Sequence, residues 1–181
     1  MDADGDGDED LFVANGHVVR YPTHSTVRQL PLLVENQGTS RFASVGDSAG
    51  TYFRERYPGR GAVVGDIDGD GDPDLVVSHV NVPLAVLANE SPGWRGVALR
   101  LIGTQSPRQP VGAIVRFVAG DRVITKQFKL ATSYASTSAE TLFFALGNRT
   151  ASRIEIHWPS GKFQTVDPVP AQDHLTVVEP Q

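Results

Sequence analysis

Short apolar runs alternate with polar segments that contain glycine and proline along the whole chain of 181 residues. The runs are rich in Val, Ile, Leu and Phe, and turn residues bound them, which is the pattern of short β-strands. No long stretch shows the period of an α-helix. The pattern predicts strands in the first half at 11–14, 30–34, 41–45, 62–65, 74–78 and 84–88. It predicts strands in the second half at 97–102, 113–119, 123–130, 142–146, 154–158 and 175–178. We therefore expect an all-β fold.

Two of the predicted strands directly follow a nine-residue acidic segment. Loop 1, Asp2–Asp10, has the sequence DADGDGDED, and loop 2, Asp66–Asp74, has the sequence DIDGDGDPD. The loops match at seven of nine positions and begin 64 residues apart. A single acidic run is usually a solvated loop. Two copies in register, each leading into an apolar run, indicate a structural repeat instead.

The spacing of the carboxylates favours a metal site. They occupy every second position, and glycines at the fourth and sixth positions allow the backbone to curl around a common centre. Carboxylates held so close repel one another unless a cation lies between them, and Ca²⁺ takes about six to eight oxygen ligands. The candidate side-chain ligands of loop 2 are Asp66, Asp68, Asp70 and Asp74, with the Asp72 carbonyl as a fifth. The corresponding residues of loop 1 are Asp2, Asp4, Asp6, Asp10 and Asp8.

An EF-hand also begins with Asp-x-Asp-x-Asp-Gly, but it needs a glutamate at position twelve and a helix on each side. Position twelve is Val13 in loop 1 and Val77 in loop 2, and the flanking residues favour strands. The EF-hand is therefore excluded.

The repeat predicts part of a β-propeller. One period holds about four short strands, which is the composition of a propeller blade. We expect residues 1–92 to be the end of a propeller and residues 93–181 to form a small β-sandwich-like domain. One period cannot close a ring of blades, so we interpret the chain as a fragment whose partners include the remaining blades of a longer parent chain. The open strand edges predict association, or partial disorder before residue 60.

The motifs resemble a known family. The segment 65–77 resembles the FG-GAP (VCBS-type) repeat of integrin-type propellers. Its surroundings, LLVEN at 32–36 and GRGA at 59–62, resemble the last blades of the cartilage-acidic-protein-like family. The second half, with IEIHWPSG at 154–161, resembles the ASPIC/UnbV domain of that family. The serine-rich segment 133–138 matches the family only approximately.

The resemblance implies a non-catalytic interaction module. In this hypothesis, Ca²⁺ stabilises propeller loops that present a surface for a protein or glycan ligand. The location implied is extracellular, by secretion, or the bacterial cell envelope, with cell adhesion as one expected role. Extracellular modules bind Ca²⁺ at roughly 10⁻⁴ to 10⁻³ M, which cytosolic calcium could not fill.

Composition excludes other classes of function. The net charge is −5 and there is no basic stripe, so we do not expect a nucleic-acid partner. No segment approaches the roughly 20 apolar residues of a membrane span. The chain has no cysteine, which excludes disulfides and thiolate chemistry.

An enzyme is the alternative. Gly46–Gly50 has the Gly-x-Ser-x-Gly pattern of hydrolases, but a Tyr- and Arg-rich segment follows it instead of a helix. The five histidines are scattered, with no zinc-binding pair at helical spacing. We therefore predict that the chain is not an enzyme. The remaining possibility is an accessory or catalytic part of a secreted hydrolase whose active site lies in additional N-terminal blades.

Overall fold

The computed structural model describes residues 1–19, 21–39, 41–170 and 173–181. The described part of the chain is all-β, as predicted, with one 3₁₀ helix at Thr51–Arg54. The strands of the first half are β1 (Leu11–Val13), β2 (Leu32–Asn36), β3 (Phe42–Ser44), β4 (Gly59–Gly65), β5 (Asp74–His79) and β6 (Ala85–Leu87). The strands of the second half are β7 (Gly96–Ile102), β8 (Ile114–Ala119), β9 (Arg122–Gln127), β10 (Thr141–Ala145), β11 (Ala151–His157), β12 (Phe163–Val166) and β13 (His174–Val178).

The first half forms two three-stranded antiparallel sheets, β1-β2-β3 and β4-β5-β6. Four strands lie between the two acidic loops, but β4 belongs to the second sheet because it pairs with β5 across loop 2. Each acidic loop leads directly into a strand of its sheet. A shared apolar core holds the sheets together and contains Leu33, Tyr52, Phe53 and Val77.

The 3₁₀ helix supplies two aromatic residues to this core. Tyr52 stacks on Tyr57, with ring centroids 4.5 Å apart, and its hydroxyl lies 2.9 Å from His79 Nε2. His79 Nδ1 must donate to the Pro83 carbonyl, so Nε2 of the neutral ring accepts from Tyr52. Burial raises the pKa of Tyr52 to about 12. No helix or strand was predicted between 45 and 62, because one turn of helix leaves no periodic signal, and β4 begins three residues before the predicted start at 62.

The second half is a sandwich of two sheets, β10-β7-β13 and β12-β11-β8-β9. Apolar side chains of both sheets form one core, and Leu99, Phe117, Phe144 and Ile156 are fully buried in it. β13 pairs with β7 in parallel, whereas the other pairs in the described part are antiparallel. Strand β12 was not predicted, since only two of its four residues are apolar and it follows a turn.

The serine-rich segment of the second half lies along β4 of the first half. The backbone N–H of Ala62 donates to Ser133 Oγ at 3.1 Å, and that of Val64 donates to Ser138 Oγ at 3.2 Å. Ala139 N–H returns a hydrogen bond to the Val64 carbonyl at 2.9 Å. These contacts cover a strand edge of the kind that otherwise pairs with other chains. The division into 1–92 and 93–181, and the expected association, stay predictions.

Candidate metal centre

The two acidic loops fold with the same local hydrogen bonds. Asp2 Oδ1 accepts from Gly5 N–H at 2.9 Å, and Asp66 Oδ1 accepts from Gly69 N–H at 2.7 Å. The third and fifth positions also bond the backbone two residues ahead, as Asp4 does with Asp6 N–H at 3.1 Å. Such Asx turns wind the chain tightly. All four loop glycines have positive φ, between 77° and 96°, which explains why glycine occupies positions four and six.

The ninth residue of each loop closes it. In loop 1, Asp10 accepts from Ala3 N–H and from Asn36 N–H, both at 2.8 Å. In loop 2, Asp74 accepts from Ile67 N–H at 2.7 Å and from Asn89 N–H at 2.8 Å. The carboxylate thus ties the start of its loop to a distant part of the same sheet. Because each oxygen has a second lone pair, both carboxylates retain capacity for a cation.

Three of the five predicted acidic residues of each loop converge. One carboxylate oxygen from each of Asp2, Asp4 and Asp10 lies within 4.8 Å of the others. Asp66, Asp68 and Asp74 form the equivalent group. The four remaining candidates are outside these groups: Asp6, Asp8, Asp70 and Asp72.

The electrostatics of the loops favour a cation. Burial, with smaller contributions from Asp6 and Asp4, raises the pKa of Asp2 to about 7. Burial and the neighbouring Asp70, Asp74 and Asp68 carboxylates raise that of Asp72 to about 7. Asp72 is 5% exposed, and its buried Oδ1 has no hydrogen-bond partner among the residues that the structure describes. An unpartnered buried oxygen costs about 1–3 kcal/mol, a cost that a bound cation would relieve. The donor set is all oxygen, which suits Ca²⁺.

The second half of the chain contacts both loops, which the sequence did not reveal. Arg122 of β9 donates to the Asp6 carbonyl and pairs with the Asp8 carboxylate of loop 1. Lys126, also of β9, pairs with Glu9 and lowers its pKa against the opposing effect of burial. His174 Nε2 lies 3.3 Å from Asp66 Oδ2 of loop 2. No sequence signal links β9 to loop 1, because the contacts span more than 110 residues.

Trp94 joins the two halves beside loop 1. Its indole N–H donates to the Asp2 carbonyl at 3.4 Å, and its ring fills the space next to Gly5. Trp158, in contrast, is 3% exposed in the sandwich core. Trp94 thus lies at the junction of the two halves, whereas Trp158 lies in the core of the sandwich.

The buried carboxylate of Glu179 was not predicted from the sequence. Its Oε2 accepts from three successive backbone N–H groups, those of Thr104, Gln105 and Ser106, at 2.7–2.8 Å. Its Oε1 accepts from the hydroxyls of Ser106 and Ser160. Burial opposes ionisation, but these hydrogen bonds outweigh it and lower the pKa to about 2. Glu179 therefore holds the C-terminal strand to two loops of the sandwich.

The hydrolase-like pattern does not have the surroundings of a nucleophile elbow. The Ser48 hydroxyl donates to the Val45 carbonyl at 2.9 Å. One turn of 3₁₀ helix follows, at Thr51–Arg54, where an elbow leads into an α-helix. The expectation that the chain is not an enzyme stays a prediction.

Profiles of known families match both halves of the chain. The FG-GAP-like repeat matches residues 2–77, which include both acidic loops. The family described as ASPIC and UnbV matches residues 103–181, which include the Trp158–Gly161 turn and Glu179. The two matches together cover most of the chain, and their order along it is the order that the sequence motifs indicate.

Proteins named Cartilage acidic protein 1 are similar to this FG-GAP and ASPIC/UnbV chain. Those of Mus musculus and Homo sapiens are each 28% identical to this chain over an alignment of 172 residues. Each alignment covers 88% of this chain. That of Xenopus tropicalis is 33% identical over 119 residues, which cover 59% of this chain and 17% of the relative. The chain spans about a quarter of the length of the mouse and human relatives.

The packing of the ASPIC/UnbV half, residues 103–181, explains the roles of two residues in its most recognisable motif. In the turn Trp158–Gly161, the Trp158 ring is buried in the core and the Ser160 hydroxyl donates a hydrogen bond to Glu179.

Within the described ranges, no helix is long and apolar enough to cross a membrane.

Proposed function

We propose that this chain is part of a secreted, calcium-binding interaction module. The observation that carries the proposal is the repeated cluster of three carboxylates, Asp2, Asp4 and Asp10 in loop 1 and Asp66, Asp68 and Asp74 in loop 2. The buried, unpartnered Asp72 Oδ1 beside the second cluster supports it. The chain acts by binding a protein or glycan, and the metal has a structural role.

A bound Ca²⁺ would supply positive charge at the centre of each loop, and the carboxylate oxygens would be its ligands. The chain's own residues do the rest. Asp10 and Asp74 hold the loop ends to their sheets, and the glycines allow the winding that brings the three carboxylates together. A rigid loop then fixes the start of β1 or β5 and the surface beside it.

The extracellular location is supported by two arguments. The relatives carry the name Cartilage acidic protein, and loops of this type are suited to the roughly millimolar Ca²⁺ that extracellular modules use.

Calorimetric titration with Ca²⁺, combined with thermal melts, tests the proposal. We expect millimolar or tighter binding and a rise in melting temperature for the unchanged chain. Asp66→Asn/Asp68→Asn should lose the contribution of loop 2, since amides keep the shape but not the charge. The control Asp47→Asn/Glu90→Gln removes two exposed charges outside the loops and should bind normally. A folded chain that shows neither heat nor stabilisation refutes the proposal.

A further inference from the structure

The two loops have almost the same sequence but different surroundings. Loop 1 is contacted by two permanently charged side chains of the ASPIC/UnbV half, Arg122 and Lys126. Loop 2 is contacted by His174, which is a cation only when it is protonated. The loops therefore differ in how much of their negative charge the protein itself compensates.

The net charge of each loop, with its cationic partners included, can be counted from the sequence and the ion pairs. Loop 1 has six acidic residues, because Glu9 joins the five aspartates, and three cations, Arg122, Lys126 and the N-terminal ammonium beside Glu9, leave a net charge of −3. Loop 2 has five acidic residues and no permanently charged partner in the part of the chain that the structure describes, a net charge of −5. Loop 2 also contains the buried Asp72 Oδ1 without a partner, whereas the equivalent Asp8 is paired with Arg122.

The contacts of Arg122 and Lys126 are built into the junction. Arg122 reaches both a backbone carbonyl and a carboxylate of loop 1. Lys126 is 16% exposed and also donates to the Phe143 carbonyl, which fixes its ammonium group beside the loop. Partly buried charges in fixed positions are screened less by salt than exposed ones.

We propose that Arg122 and Lys126 act as built-in cations that make loop 1 the weaker and loop 2 the tighter Ca²⁺ site. This inference rests on the proposed calcium binding. A unit charge roughly 8 Å from a divalent ion in water changes its affinity by about fivefold. The net charges of the two loops differ by two, so we expect loop 2 to bind on the order of 25-fold more tightly than loop 1.

The test measures each loop alone by calorimetry. Asp66→Asn/Asp68→Asn leaves loop 1 as the binding site, and Asp2→Asn/Asp4→Asn leaves loop 2. Adding Arg122→Gln/Lys126→Gln to the first variant changes the net charge of loop 1 from −3 to −5. Its affinity should rise on the order of 25-fold, to about that of loop 2. The control Arg153→Gln/Lys162→Gln removes two cations at the far side of the sheet and should change neither affinity.

A second measurement does not depend on the variants of β9. Raising the salt concentration from about 50 to 300 mM should weaken the Ca²⁺ affinity of loop 2 more than that of loop 1, because more of the charge of loop 2 is uncompensated. Equal affinities and equal salt dependence would overturn the inference while leaving calcium binding intact. A fall in loop 1 affinity on removing Arg122 and Lys126 would also overturn it, as it would show that they shape the loop. If neither loop binds Ca²⁺, both proposals fail.

Discussion

The carboxylate of Asp74 accepts a hydrogen bond of 2.8 Å from the backbone N–H of Asn89, which follows the last strand of its sheet. Asp10 does the same for Asn36 in the other sheet, also at 2.8 Å. The last acidic residue of each loop is thus part of the sheet as well as part of the metal cluster. Asn89 extends the connection, because its side-chain amide donates to the Ala3 carbonyl of loop 1. The two loops are therefore mechanically linked.

This dual role predicts that Asp74→Asn destabilises the protein even when a chelator removes all Ca²⁺. Asp74 is 1% exposed, and an amide nitrogen would face the N–H of Ile67 or Asn89. We expect a loss of about 2–3 kcal/mol, the cost of an unmade buried hydrogen bond to a charged group. Urea unfolding in the presence of chelator measures it.

The matched variant is Asp68→Asn, whose exposed side chain belongs to the same cluster. It should leave stability in chelator nearly unchanged but reduce the stabilisation that added Ca²⁺ provides. If both variants behave alike in chelator, Asp74 has no structural role beyond the metal.

The serine-rich segment predicts a second effect. Ser133 and Ser138 accept hydrogen bonds from two N–H groups of β4, at 3.1 and 3.2 Å. Ser133→Ala/Ser138→Ala should cost about 1–2 kcal/mol and expose the edge of β4 to other chains. Size-exclusion chromatography with light scattering should show increased association. Ser152→Ala, which removes a hydroxyl bonded to Val118 on another sheet, is the control and should not change the oligomeric state.

The position of Gly61 gives a third prediction. A Cβ atom there would overlap with the Tyr134 carbonyl oxygen and Ser136 Oγ, so no other residue fits while the segment 133–138 lies on β4. Gly61→Ala should therefore separate that segment from β4 and speed the exchange of the Val64 and Ala139 amides. Hydrogen exchange measures this directly. Unchanged protection of both amides would show that the contact is absent in solution.

Most of the fold follows from local patterns. Eleven of the twelve predicted strands overlap one observed strand closely, and the apolar run 123–130 ends earlier, at Gln127, because Phe128 turns into the sandwich core. Loop 1 and loop 2 were predictable since their spacing and glycines encode the winding themselves. In contrast, Arg122 and Glu179 act through partners 114 and 73 residues away, and one sequence carries no signal for such distances.

The contact between the segment 133–138 and β4 is another long-range contact that the sequence alone does not reveal. The sequence shows only an approximate match of this segment to the family, and the structure reveals that its hydroxyls accept hydrogen bonds from the backbone of β4. Hydroxyl groups can replace a neighbouring strand because each accepts a hydrogen bond from a backbone N–H. The period of four strands was predicted correctly, but the pairing of β4 across loop 2 depends on contacts made after the loop folds.

Glu179 predicts the pH dependence of stability. Its pKa in the folded protein, about 2, lies below the ordinary value of 4.5, so its contribution is complete above about pH 4.5 and is lost as the pH falls towards 2. Glu179→Gln should destabilise the protein at pH 7 by about 2–3 kcal/mol, because the amide cannot accept the same set of hydrogen bonds. The difference between the variant and the unchanged chain should shrink steadily below pH 4.5, because the carboxyl group takes up a proton in the unfolded chain before it does so in the folded protein. Urea unfolding at pH 7, 4 and 2.5 measures this difference, and Glu90→Gln, at an exposed glutamate, should show none at any pH. A difference that stays constant with pH would mean that Glu179 stabilises the sandwich by packing and not by its charge.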